Sequence, residues 1–170
     1  MDSTTRSSSN SSVLFTPTLS SVPSTAGLQN GYTLQSSTPT DGSLFIIRDV
    51  SSGHVISLDN GNVVLTPLSN GGIYRWQCVE AEGFFRFLEP RSNKFLCHTM
   101  WNPQLECTAG HNDWYRNFSI TLIPEKGFVM SMPHWSELRS IVRSTDNNLQ
   151  KLEKTGKRLS DGIVWEFTRV

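Results

Sequence analysis

From Gly42 onward, apolar and polar positions alternate in short runs, and the runs recur. Three stretches open with a glycine and an apolar strand: Gly42-Ser43-Leu44-Phe45-Ile46-Ile47, Gly83-Phe84-Phe85-Arg86-Phe87-Leu88 and Gly127-Phe128-Val129-Met130-Ser131-Met132. Three others alternate around an aromatic: Tyr74-Arg75-Trp76-Gln77-Cys78, Arg116-Asn117-Phe118-Ser119-Ile120 and Val164-Trp165-Glu166-Phe167. The opening glycines lie 41 and 44 residues apart, and the closing aromatics Trp76, Phe118 and Trp165 lie 42 and 47 apart. Two independent markers thus share one period, which is the signature of an internal repeat.

Each repeat also holds a hairpin. In the first, His54-Val55-Ile56-Ser57-Leu58 reaches Asp59-Asn60-Gly61 and returns as Asn62-Val63-Val64-Leu65-Thr66. An Asn-Gly pair between alternating runs predicts a tight turn, because both residues accept positive φ. In the second, Lys94–His98 and Gln104–Thr108 flank Met100-Trp101-Asn102-Pro103. In the third, Arg139–Arg143 turns at Asp146-Asn147-Asn148 into Leu149–Leu152. Leu138, Ile141, Val142, Leu149 and Leu152 have a spacing that a helix would also satisfy. The Asp-Asn-Asn break and the alignment with the other hairpins favour strands.

Three copies of a four-stranded unit of about 40 residues predict an all-β chain with the β-trefoil fold. Strand alternation then places Trp76, Phe118 and Trp165 in one inward layer, with Cys78, Ile120 and Phe167 two residues on. The first forty residues differ sharply. Nineteen are Ser or Thr and only Asp2 and Arg6 are charged, with no apolar period. Such a segment lacks the burial needed to offset backbone ordering of roughly 1–2 kcal/mol per residue. We therefore expect a disordered tail over residues 1–41 and a folded domain over 42–170. Val13-Leu14-Phe15 is the one apolar triplet in the tail that would suit an added edge strand.

Composition narrows the function. Fifteen basic and fifteen acidic residues leave no net charge, which disfavours a general nucleic-acid binder. Apolar runs of four residues are too short for a helical span. Cys78, Cys97 and Cys107 lack C-x-x-C spacing, and no apolar leader precedes the domain. The expectation is a cytoplasmic, monomeric protein with reduced thiols, no metal and no cofactor. His54, His98, His111 and His134 fall in different segments without a ligand or catalytic motif, so no enzyme is expected.

The candidate chemistry sits on loops. Met100-Trp101-Asn102-Pro103 spends a Trp where the other repeats have turn formers. His111-Asn112-Asp113-Trp114 and Met132-Pro133-His134-Trp135-Ser136-Glu137 are two further aromatic–polar loops. A flat ring beside amides, carboxylates or imidazoles suits a sugar, whose CH groups stack while its hydroxyls find partners. The same residues suit a protein hot spot. The candidate ligand-binding residues are Trp101, Asn102, His98, His111, Asn112, Asp113 and Trp135, with the weight on Trp101. Lys151, Lys154, Lys157 and Arg158 read as a solvated basic hairpin face.

At the level of motif, Arg75-Trp76-Gln77-Cys78, Val164-Trp165-Glu166-Phe167 and Arg91-Ser92-Asn93-Lys94-Phe95-Leu96 resemble elements of fascin-like and ricin-B-type trefoils. The order of elements also resembles small trefoil proteins of filamentous fungi. Trp165-Glu166-Phe167-Thr168-Arg169 is similar to the last strand of fungal trefoil protease inhibitors. The resemblance covers residues 42–170. It implies a non-catalytic binding module, for which a glycan is the favoured partner and a protein, either a protease or the cytoskeleton, the alternative.

Overall fold

The computed structural model describes residues 36–69, 72–109, 113–146 and 149–170. The strands are β1 (Leu44–Asp49), β2 (Val55–Asp59), β3 (Asn62–Thr66), β4 (Trp76–Ala81), β5 (Phe84–Glu89) and β6 (Lys94–Cys97). They continue as β7 (Glu106–Thr108), β8 (Ser119–Ile123), β9 (Gly127–His134), β10 (Glu137–Asp146), β11 (Leu149–Gly156) and β12 (Val164–Arg169). Each repeat supplies four strands, and the pairing sorts them into two layers.

The first and last strands of the repeats pair around a ring. β1 pairs with β4 and β12, β4 with β5, β8 with β9, and β9 with β12. A bridge between Phe85 and Phe118 closes the ring between β5 and the start of β8. The remaining hairpins, β2–β3, β6–β7 and β10–β11, meet at one end. Their contacts run Asn62 to Glu106, Gln104 to Glu153 and Lys151 to Val64. A closed six-stranded barrel capped by a triplet of hairpins is a β-trefoil, as the repeat predicts. Closure also leaves the barrel without an unpaired edge.

The closing aromatics form the core. Trp76, Phe118 and Trp165 are fully buried, together with Phe45, Phe87 and Phe167. Phe87 stacks on Phe167 at 5.9 Å, and Phe45 and Phe128 meet Phe167 edge-on. Cys78 is buried as the alternation demands, and Ile120 is half-buried against this cluster. Burial pushes the Cys78 thiol up to about 12, so it behaves as a small hydrophobe. The first hairpin turns on Asn60 and Gly61 at φ 50° and 82°. In the third repeat the contested segment is the β10–β11 hairpin, and its expected Asn147-Asn148 turn lies outside the described residues.

Two expectations need correction. The domain begins before residue 42. Ser36 bridges Thr168, the Ser37 amide donates to the Phe167 carbonyl at 2.8 Å, and Asp41 accepts the Glu80 amide at 2.9 Å. Sparse apolar content misses this segment because backbone hydrogen bonds to β12 and the burial of a single residue, Pro39, attach it. The tail before residue 36, with Val13-Leu14-Phe15, lies outside the described residues. The second correction concerns Lys154, which is buried rather than part of a solvated basic face. Among the described residues no helix is long and apolar enough to cross a membrane.

Candidate functional site

Three loops converge at one side of the barrel, between the second and third repeats. The first is the turn from β9 to β10. His134 pairs with Glu137, which leaves Trp135 and Ser136 as a two-residue turn. Trp135 takes φ 56°. Left-handed backbone suits Gly, Asn or Asp, and an L side chain there costs on the order of 1–2 kcal/mol. The indole gains no core burial in exchange, since Trp135 is 79% exposed. Exposed Glu82 and Glu125 take the same backbone at other turns, so the turn sets the φ; what marks Trp135 is the large apolar ring it leaves in solvent.

A 3-10 turn at Asp113–Arg116 carries Trp114 and Tyr115 to the same place. Asp113 anchors it through Arg86 at 3.6 Å and Arg116 at 3.3 Å. Trp114 meets Phe84 edge-on at 6.4 Å, yet much of its ring faces solvent. Tyr115 meets the His98 ring edge-on at 5.1 Å, and its carbonyl accepts the His98 amide at 3.1 Å. The third loop, between β6 and β7, is stapled by Asn102. Its backbone amide donates to Thr99 Oγ1, its Oδ1 accepts the Gln104 amide, and its Nδ2 donates to Glu106 Oε1.

Together, His98, Met100, Trp114, Tyr115, Pro133, His134, Trp135 and Lys154 line a cleft of about 160 Å³. That is below the roughly 300–1,000 Å³ of a drug-sized pocket and suits a single ring. At its base Lys154 is only 6% exposed. Its Nζ lies 3.3 Å from His98 Nε2 and 3.2 Å from His134 Nδ1. The chemistry assigns the protons. An ammonium only donates, so both imidazole nitrogens accept; the Thr99 carbonyl only accepts, so His98 Nδ1–H donates to it at 2.7 Å. Burial pushes His98 down to about 4, and the charges of Lys154 and His134 act in the same direction, against the hydrogen bond to the Thr99 carbonyl and the nearby Pro133 carbonyl. Burial, then Lys154 and Arg139, lower His134 as well. The cluster is therefore one cation held by two neutral rings.

The sequence-predicted residues divide. His98 and Trp135 come together in this cleft. Trp101 is 90% exposed on the adjoining loop, next to Met100, and is not among the lining residues. Asn102 spends its amide inside its own loop, and Asp113 spends its carboxylate on two arginines. His111 and Asn112 lie outside the described residues. Sequence reasoning missed the roles of Tyr115 and Lys154. Lys154 had a signal: it stands two residues after the buried Leu152 on one strand, so alternation turns both inward. A second cleft of about 250 Å³, lined by Gly61, Asn62, Gln104 and Lys151 among others, has no aromatic wall.

No family model matches the chain, and no curated protein does. Solved structures do. A GlcNAcα1-4Gal-releasing endo-β-galactosidase of Clostridium perfringens aligns over 75% of this chain at 11% identity and TM-score 0.59, and the chain spans about a third (32%) of that protein. The ricin B-like lectin of Macrolepiota procera, solved with lactose, aligns over 79% of this chain and 100% of its own at 18% identity and TM-score 0.59. The Rhizoctonia solani agglutinin aligns over 79% and 99% at 11% identity and TM-score 0.58. The likeness is one of fold. At these identities it carries no residue roles across.

Proposed function

We propose that this β-trefoil is a non-catalytic carbohydrate-binding module whose sugar sits in the cleft between Trp135 and Trp114. The observation that carries the reading is Trp135, an exposed indole held at positive φ on a hairpin tip beside a second exposed indole and a tyrosine. Sugar rings stack on such faces, and the imidazole and ammonium groups at the base suit hydroxyls and other acceptors. Trefoil neighbours that are lectins support the same reading.

Chemistry in the cleft favours binding over turnover. Glycoside cleavage generally needs two carboxyl groups facing the bond, and the described lining residues include no Asp or Glu. Burial pushes the thiols of Cys97 and Cys107 up to about 11 and about 12, which makes them poor nucleophiles. Trp101, exposed beside Met100, extends the surface toward further sugar units.

A glycan array with the wild-type protein, Trp135→Gly and Trp101→Ala tests the reading. Glycine relieves the left-handed strain, so Trp135→Gly should keep its fold and lose binding by about tenfold or more, while Trp101→Ala loses less. A blank array alongside one specific protein in a pull-down would move the reading to protein recognition. Full binding by Trp135→Gly would remove the cleft from it.

A further inference from the structure

The base of the cleft specifies more than a sugar. Burying an ammonium without a counter-charge is costly, and buried cations are ordinarily paired with carboxylates. The Lys154 ammonium has two hydrogen-bond partners among the described residues, and both are neutral imidazoles. Its third N–H has no partner among the described residues. The charges nearby do not cancel it. Burial first, and then the charge of Arg139, push Lys154 below the ordinary lysine value, as expected of an ammonium without a counter-charge. Glu137 is engaged by Arg139 at 2.8 Å. Glu153, the preceding residue on β11, alternates to the opposite face of the strand. His134 contributes a further donor: with Nδ1 accepting from Lys154, its neutral ring carries the proton on Nε2.

We propose that the cleft selects an acidic sugar, whose carboxylate or sulfate group docks on the Lys154 ammonium beside His134 while its ring lies against Trp135 and Trp114. The inference rests on the carbohydrate reading and narrows it to one class. An anion there would complete the third hydrogen bond of Lys154 and supply the missing counter-charge. Low water access makes such a charge-assisted contact stronger than its surface equivalent. The cleft of about 160 Å³ admits one substituted ring, so the charged group and the stacked ring belong to the same or adjacent units.

Calorimetric titration of the full chain with four probes tests this: lactose, sialylated lactose, sulfated lactose and a glucuronic-acid disaccharide. At least one acidic probe should bind about tenfold or more tighter than lactose, and the acidic arms then report whether carboxylate or sulfate is preferred. Lys154→Met, which keeps the length and drops the charge, should erase that preference, so that the acidic probes bind the variant no tighter than lactose does. The methyl ester of the best carboxylate probe should lose the same factor on the wild-type protein, which holds the test even if the variant fails to fold. Lactose binding as tightly as every acidic probe, or an acidic preference that survives Lys154→Met, would overturn the anion site and leave the carbohydrate reading standing. Binding of none of the four, together with a blank array, would overturn both.

Discussion

The turn that follows the first strand is built one way in the first two repeats and another way in the third. Pairing aligns Ile47 with Phe167, Phe87 with Cys78 and Met130 with Ile120, so Asp49, Glu89 and Met132 occupy one position two residues on. Asp49 accepts the Ser51 amide and hydroxyl and the Ser52 hydroxyl, and it is paired with Arg143. Glu89 accepts the amides of Arg91 and Ser92 at 3.0 and 2.7 Å. Burial alone would raise both carboxyls, yet hydrogen bonds to Ser52 and Arg143 and to Ser92 and Arg91 outweigh it and hold them below the ordinary range. The third repeat has a buried methionine there and carries its strand on to the Trp135-Ser136 turn. A buried carboxylate that organises its own turn is committed to the scaffold. A turn released from that task can hold an indole in solvent, and that is where the cleft lies.

The contrast breaks most visibly at Asp49. Asp49→Ala should destabilise by about 2–4 kcal/mol, because it strips three donors of a buried carboxylate and leaves Arg143 without its carboxylate partner. Urea denaturation measures this, and a loss below about 1 kcal/mol would show that the cap is not structural. Next in size is a dependence on pH at the cleft. His98 is neutral in the fold and titrates near 4, against 6.5 in an unfolded chain. Between those values the unfolded chain holds the extra proton, so stability is full above pH 6.5 and falls as pH drops toward 4. The full loss is on the order of 3 kcal/mol, and His134, also lowered, adds in the same direction. Asp49 and Glu89 act only below their unfolded values of 3.8 and 4.5, so a melt series from pH 7 to 5 isolates the histidines. A flat series, or an equal slope in His98→Gln, would contradict the assigned protonation.

Trp135→Gly sharpens the comparison in the opposite direction. Relief of the left-handed strain should raise stability by about 1 kcal/mol even as binding weakens about tenfold or more. A lower melting temperature would mean that the indole packs as part of the fold. The smallest effect is at the N-terminal boundary. A chain starting at residue 42 should be less stable than one starting at residue 36 by about 1 kcal/mol, the scale of a few exposed backbone hydrogen bonds. Equal denaturation midpoints would return the boundary to residue 42.

What the chain determined by itself was everything that repeats or alternates. The glycine and aromatic markers set the period, Asn60-Gly61 set a hairpin, and alternation around Trp76 and Trp165 named the core. These are local properties, since side chains on a strand change face every residue whatever lies across from them. Tertiary structure decided the site. His98, Trp114, Trp135 and Lys154 come from four separate segments, and only barrel closure and the hairpin triplet bring them to one cleft. Sequence alternation can turn Lys154 inward, but it cannot say that two imidazoles rather than a carboxylate will meet it. Nor does a Trp in a turn declare its φ, because the register of His134 with Glu137, a pairing across strands, forces the left-handed backbone on Trp135.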